Sequence, residues 1–187
     1  MSASLVGSEM CIRDRDIVGS LIGLILLSPI FLIVAIAVKL DSKGPIIFGH
    51  TRKGMGGKDI KVYKFRTMYQ NSQEIFDNFT EEQKEEFYKN FKLENDPRVT
   101  KVGDFLRRTS LDELPQLINI LNGTMSIVGP RPIVEKEVAL YAEYAPKLFS
   151  VVPGLTGYWQ AHGRSDTTYE ERIKMDMYYI CLLYTSP

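Results

Sequence analysis

The sequence predicts an α/β, mostly helical protein with one N-terminal apolar helix at a membrane and a small β-hairpin. Three observations predict it. Residues 17–38 run for 22 positions without a charged side chain. Two short β-like runs, Ile46–Phe48 and Ile60–Phe65, flank a glycine-rich loop, which reads as a hairpin. Beyond residue 97, helical patterns dominate and helix outweighs strand. Composition narrows the class further. The 187 residues hold 23 Lys+Arg against 23 Asp+Glu, for a formal net charge of zero. That excludes a nucleic-acid binder held by bulk charge, which needs excess cation to displace counterions. An apolar fraction of 44% with 25% charged residues excludes a disordered chain. Two cysteines, Cys11 and Cys181, and two histidines, His50 and His162, form no metal-binding spacing, so zinc fingers, haem attachment and disulfide scaffolds are excluded.

The apolar run Ile17–Val38 reads IVGSLIGLILLSPIFLIVAIAV. As a helix it is about 33 Å long, enough to span a bilayer core. It is too long for a signal-peptide core and ends in no A-x-A-like site. Two topologies fit. One is a straight single-pass anchor. The other breaks at Ser28-Pro29, because Pro29 lacks an N–H and clashes with the preceding turn. Cations flank both ends, Arg13 and Arg15 before and Lys39 and Lys43 after. This symmetry suits a dip into one leaflet with both flanks cytoplasmic.

After Lys43 the chain is soluble in character. Residues 46–69 carry six cations (Arg52, Lys53, Lys58, Lys61, Lys64, Arg66) against Asp59, a net of +5, whereas residues 70–96 carry eight acids against three lysines, a net of −5. The acidic stretch reads as a solvated helix, and the basic hairpin suits anionic lipid or a phosphorylated ligand. Helices follow at about 101–108, 113–122, 134–149 and 168–180, with a Gly/Pro loop at 128–132 and a turn-rich stretch at 152–166.

Four stretches could carry chemistry. The loop Arg52–Lys58, RKGMGGK, is a hairpin turn rather than a Walker A loop, because Asp59 stands where Ser or Thr is required. The stretch Arg107–Gln116, RRTSLDELPQ, admits a capping box from Ser110 to Glu113, or an Asp112 cap with Pro115 in the first turn. Neither cap explains two arginines beside an adjacent carboxylate pair. Such a set could hold a divalent cation and attack phosphorus, with the arginines neutralising the phosphate that a carboxylate must approach. In Ser126–Pro132, SIVGPRP, two prolines stiffen the backbone around Arg131, which suits bidentate phosphate recognition. Val152–Gln160, VPGLTGYWQ, with Gly163-Arg164 beyond, signals turns and says little by itself.

In this order, and after a Ser-Pro-broken apolar run, these stretches resemble the bacterial sugar transferases, the monotopic phosphoglycosyl transferases that start glycan assembly on a polyprenyl phosphate. The pieces that carry the resemblance are DIVGSLIGLILLSPIFLI, KVYKFRTM, NDPRVTKVGDFLRRTSLDELPQLINIL, MSIVGPRP and PGLTGYWQAHGR, within a resemblance that runs from about Asp16 to Ile180. The resemblance implies a monotopic re-entrant helix-break-helix, with Ser28 and Pro29 at the break, in the bacterial inner membrane below a cytoplasmic catalytic domain. It implies that Asp112 attacks the β-phosphorus of a UDP-sugar, expels UMP and passes the sugar phosphate to polyprenyl phosphate. Glu113 would hold Mg²⁺. Arg131, Lys64, Arg66 and Arg107 would bind phosphate. Partners would be the UDP-sugar, polyprenyl phosphate and membrane lipid, with no nucleic acid and with a homo-oligomer left open.

Three departures stand out. Thr124 occupies a place where the family often has Asp before Met. Residues 1–15 and 181–187 do not resemble the family and read as a non-native or disordered leader and a non-native tail, which leaves 16–40 as the membrane helix and 41–180 as the catalytic domain. With no long region before the apolar run, the expectation is a minimal catalytic form. Two rivals remain: a membrane-anchored glycosyltransferase that releases UDP, for which no D-x-D motif stands in a suitable context, and an inactive scaffold. The identity of the sugar is not legible.

Overall fold

A computed structural model describes residues 3–90, 93, 96–162 and 167–185. Helix α1 runs over Ala3–Asp41 and remains helical across Ser28 and Pro29. It begins inside the segment that the sequence sets aside as a leader. Strands β1 (Ile47–Lys53) and β2 (Asp59–Phe65) form the expected two-stranded hairpin. Its tip is a 3-10 turn over Met55–Gly57, closed by Gly54 N–H donating to the Lys58 carbonyl at 2.8 Å. Gly56 and Gly57 take positive φ there, 69° and 71°, where a Cβ is disfavoured. Helices α2 (Ser72–Asp77), α3 (Glu81–Asn90), α4 (Lys101–Thr109) and α5 (Gln116–Leu121) follow. Then come β3 (Ser126–Val128), α6 (Glu135–Tyr141), α7 (Ala145–Leu148), β4 (Gly154–Thr156), α8 (Tyr158–His162) and α9 (Tyr169–Thr185).

Several expectations need correction. The helix expected near 113–122 starts only at Gln116, because Leu111–Glu113 is a separate 3-10 turn. The helix expected over 134–149 is interrupted at Ala142, whose φ of 43° is incompatible with a continuing helix. The turn-rich stretch holds β4 and α8. Gly163 and Arg164 lie outside the described residues.

The chain divides into two compact units. The first comprises residues 1–27, 49–63 and 115–187. One of its cores gathers Val62, Leu117, Ile120 and Met125, with Leu24 and Leu27 of α1 packed alongside; another gathers Ile133, Tyr141, Leu148, Ile173, Met177 and Ile180. The second unit comprises residues 28–48 and 64–114, and its core joins Val34 and Val38 of α1 to Phe65 and Leu106. Each such large apolar side chain, once buried, contributes roughly 1.5–3 kcal/mol.

Helix α1 is therefore one-sided within each unit. In the first unit, Asp16 accepts from Ile127 N–H at 3.0 Å, and Gly19 and Gly23 face Ile127 and Leu117, while Leu21, Ile22, Ile25 and Leu26 are exposed. Arg13 donates to the Ile120 carbonyl and, at 2.6 Å, to that of Leu121, satisfying two last carbonyls of α5. In the second unit, Phe31, Val34 and Val38 pack inward while Leu32, Ile33, Ile36 and Leu40 are exposed. The stretch Met10–Asp41 is long and apolar enough to cross a membrane.

Candidate active site

The acid pair is assembled within the second unit by two segments. The run after β2 continues through Arg66-Thr67-Met68, and the N-terminus of α4 lies directly on it. Thr100 N–H donates to the Thr67 carbonyl at 3.0 Å, and Met68 bridges Val99. Gly103 makes this approach possible, since a Cβ there would collide with the Thr67 backbone. Thr100 caps α4 by accepting from Gly103 N–H at 2.9 Å. At the other end Ser110 adopts the left-handed region, φ 57°, and turns the chain into Leu111–Glu113. Both caps read from the sequence are overturned. Ser110 makes no side-chain cap bond, and α5 begins at Pro115 and Gln116 without a capping carboxylate. An N-cap residue normally has extended backbone, which Ser110 in its left-handed turn lacks.

Asp112 is 7% exposed. Lys64 Nζ lies 3.8 Å from Asp112 Oδ2 and donates to Glu113 Oε1. Arg107 Nε donates to Thr67 Oγ1 at 2.9 Å. Burial pushes the Asp112 carboxyl above its ordinary range; the Lys64 ammonium opposes the shift, Glu113 adds to it, and Arg107 opposes it. The carboxylate is thus desolvated, which makes it more basic, while two cations favour its ionised form. A group so arranged can attack an electrophile whose negative charge Lys64 and Arg107 partly cancel.

The donor set fits a divalent cation in one way. Among the described residues no cluster of three or more metal-ligating side chains occurs. A Mg²⁺ ion would take carboxylate oxygens from Asp112 and Glu113 and complete its shell with water and ligand phosphate, its usual habit. The Lys64 ammonium competes for Glu113 Oε1.

Arg66 and Arg131 have partners of their own. The Arg66 guanidinium binds the segment at the end of α1, at Val38, Ser42 and Pro45. Arg131 belongs to the first unit, where its charge acts on Tyr169 and Asp176. Its loop is fixed by parallel pairing of β3 with β4, Ser126 opposite Gly154 and Val128 opposite Thr156. Gly129 N–H donates to Thr156 at 2.9 Å and Gly154 N–H to Pro130 at 2.9 Å. A Cβ on Gly154 would strike the Gly129 backbone, and one on Gly129 would lie 2.7 Å from Gly154 N. The PGLTG stretch, uninformative by itself, is the support of the Arg131 loop. Thr124 is exposed and closes α5, its hydroxyl donating to the Asn119 carbonyl at 3.1 Å.

Sequence reasoning missed Thr67, Gly103 and Asp176. Asp176 is fully buried and accepts from Tyr141 OH at 2.8 Å, while its Oδ1 has no hydrogen-bond partner among the described residues. Burial raises its carboxyl to about 6, against the pull of Tyr141 and Arg131. The apolar spacing of α9 signalled a core helix; an acid inside that spacing, beside Tyr178 and Tyr179, was the available clue.

A carboxylate pair held by a lysine thus lies on a unit that also packs one face of a helix long and apolar enough to cross a membrane. The chain belongs to the bacterial sugar transferase family, whose model matches residues 8–183. It is similar to an uncharacterized sugar transferase of Haemophilus influenzae, 46% identical over 94% of this chain and 38% of that protein. It is similar to the exopolysaccharide production protein ExoY of Rhizobium meliloti, 44% identical over 91% of this chain and 77% of that one. It also resembles the undecaprenyl-phosphate galactose phosphotransferase of Salmonella typhimurium, 46% identical over 90% of this chain. The chain spans 36% of that last relative's length.

Proposed function

We propose that this protein transfers a sugar 1-phosphate from a UDP-sugar to polyprenyl phosphate, with Asp112 as nucleophile. In the first step an Asp112 oxygen forms a bond to the β-phosphorus. The bond from that phosphorus to the bridging oxygen breaks, and UMP leaves with the electron pair. In the second step an oxygen of polyprenyl phosphate attacks the same phosphorus and the Asp112 carboxylate is released. Bound Mg²⁺ would supply charge neutralisation on the diphosphate, with Glu113 and Asp112 as its protein ligands. Lys64 and Arg107 neutralise charge at the attacked phosphate, and Arg131 is proposed as a further phosphate ligand.

The observation that carries this reading is the desolvated Asp112 carboxylate beside Glu113 with Lys64 on both. A structural ion pair needs neither the burial nor the second acid. Relatives named for sugar phosphate transfer to undecaprenyl phosphate support the same substrates. A monotopic, re-entrant α1 is supported by its packing: each half buries one face on soluble core residues, which a freestanding span does not do. Bent at Ser28-Pro29, it would keep both flanks on the cytoplasmic face of the inner membrane, with the site at headgroup level.

The test is nucleotide release by detergent-solubilised protein given Mg²⁺, polyprenyl phosphate and a panel of UDP-sugars. The expected result is UMP from one sugar and none from Asp112→Ala. Release of UDP would make the protein a glycosyltransferase, and no release from any sugar would make it a scaffold.

A further inference from the structure

Four consecutive residues across the end of β2 take four different duties within the second unit. Lys64 pairs with Glu113 and Asp112, Phe65 packs on Val34 and Val38, Arg66 binds the end of α1, and Thr67 accepts from Arg107. Arg66 differs from the other cations of the basic stretch in being almost wholly buried, 7% exposed. Its Nη1 donates to the Pro45 carbonyl at 2.6 Å. Its Nη2 donates to the carbonyls of Val38 at 3.1 Å and Ser42 at 2.6 Å and to Ser42 Oγ at 3.0 Å. The backbone joins in, Arg66 N–H donating to the Ile46 carbonyl at 2.9 Å. A helix end leaves carbonyls without intrahelical donors and carries partial negative charge, so a planar cation with several donors is suited to it.

The chain exit from α1 is shaped around this group. Gly44 sits at φ 129°, and a Cβ there would run into Arg66 Nη1 and lie 3.3 Å from Gln70 Oε1. Both Nη groups are taken up by oxygens of one short segment, and Nε is buried without a hydrogen-bond partner among the described residues, so no exposed fork is left for a phosphate.

We infer that Arg66 is a positioning residue: it ties the end of the membrane helix to the strand that presents Lys64, and so sets the acid pair at the height where a lipid phosphate can reach it. This rests on the phosphoglycosyl transfer reading above. It assigns Arg66 to the helix end rather than to a substrate phosphate. A soluble UDP-sugar can reach the acid pair at any height, whereas the polyprenyl phosphate is confined to the bilayer surface. Loss of the tether must therefore weigh more on the second step than on the first.

The experiment uses the full chain in lipid nanodiscs with Arg66→Lys and Gly44→Ala. The first keeps the charge and loses the fork; the second keeps Arg66 and crowds its guanidinium. Formation of the phosphosugar adduct from UDP-sugar alone is timed separately from its discharge by polyprenyl phosphate. Both variants are expected to slow discharge at least tenfold more than adduct formation, and to raise amide exchange at Ser42 and its neighbours at least tenfold. Equal slowing of both steps, or full activity in Arg66→Lys, would place Arg66 on the substrate and overturn the tether. Unchanged amide exchange would overturn it as well, and that readout stands even if the wild type forms no adduct, an outcome that would instead sink the functional reading.

Discussion

The acid pair of the second unit and the Arg131 loop of the first are held by opposite means. Asp112 and Glu113 are held by charge, through one lysine whose ammonium reaches both carboxylates. Arg131 is held by backbone: prolines on either side, a parallel strand pair behind it, and two glycines whose main chains nearly touch. Charge-held groups can exchange a protein partner for a substrate or cation with little loss of fold. Backbone-held groups cannot, so the second arrangement suits a residue that must point one way before the substrate arrives.

Gly154→Ala breaks the backbone-held side. A methyl group driven into the Gly129 main chain is expected to cost about 3 kcal/mol, read as a lower midpoint in urea; an unchanged midpoint would mean the strand pair is not the support described. Lys64→Met breaks the charge-held side. It should lower turnover about a hundredfold, the usual effect of removing one charge-stabilising donor. The melt should shift by less than about 1 kcal/mol, since partly exposed pairs contribute little. A collapse of the melt instead would make Lys64 structural.

Asp176→Asn sharpens the comparison through pH. The folded-state carboxyl is raised to about 6, so the native protein binds the proton more tightly than the unfolded chain. Its contribution is fully present below the unfolded value near 4 and is lost as pH rises through about 6. Relative to Asp176→Asn, the wild type should lose about 2–3 kcal/mol between pH 4 and 7. Parallel stability curves would contradict the assignment. The smallest effect is Ser110→Gly. Relief of its left-handed φ should stabilise the fold by about 0.5–1 kcal/mol, read as a higher midpoint in urea; a lower midpoint would contradict it.

Much of this was legible in the sequence because it depends on residues close together. The hairpin, α4, α9 and the acid pair each follow from local pattern. The caps on Ser110 and Asp112 were misread because a capping box and an adjacent acid pair share the same letters, and only the left-handed turn at Ser110 tells them apart. The β3–β4 pair was not legible, since three-residue parallel strands from distant segments leave no periodicity. The partners of Arg66 were not legible for a related reason. A cation in a basic run reads as a ligand for phosphate, and nothing local reveals that the oxygens it meets are the carbonyls of a helix ending two dozen residues earlier.

The central claim is that Asp112 becomes covalently bound to sugar phosphate. The direct measurement is the intact mass of the protein, quenched after incubation with Mg²⁺ and the accepted UDP-sugar but no polyprenyl phosphate. The account predicts a mass increase of one sugar phosphate, mapped to the peptide containing Asp112, absent from Asp112→Asn and discharged on adding polyprenyl phosphate. UMP released only when both substrates are present, with no modified protein at any time, would contradict it.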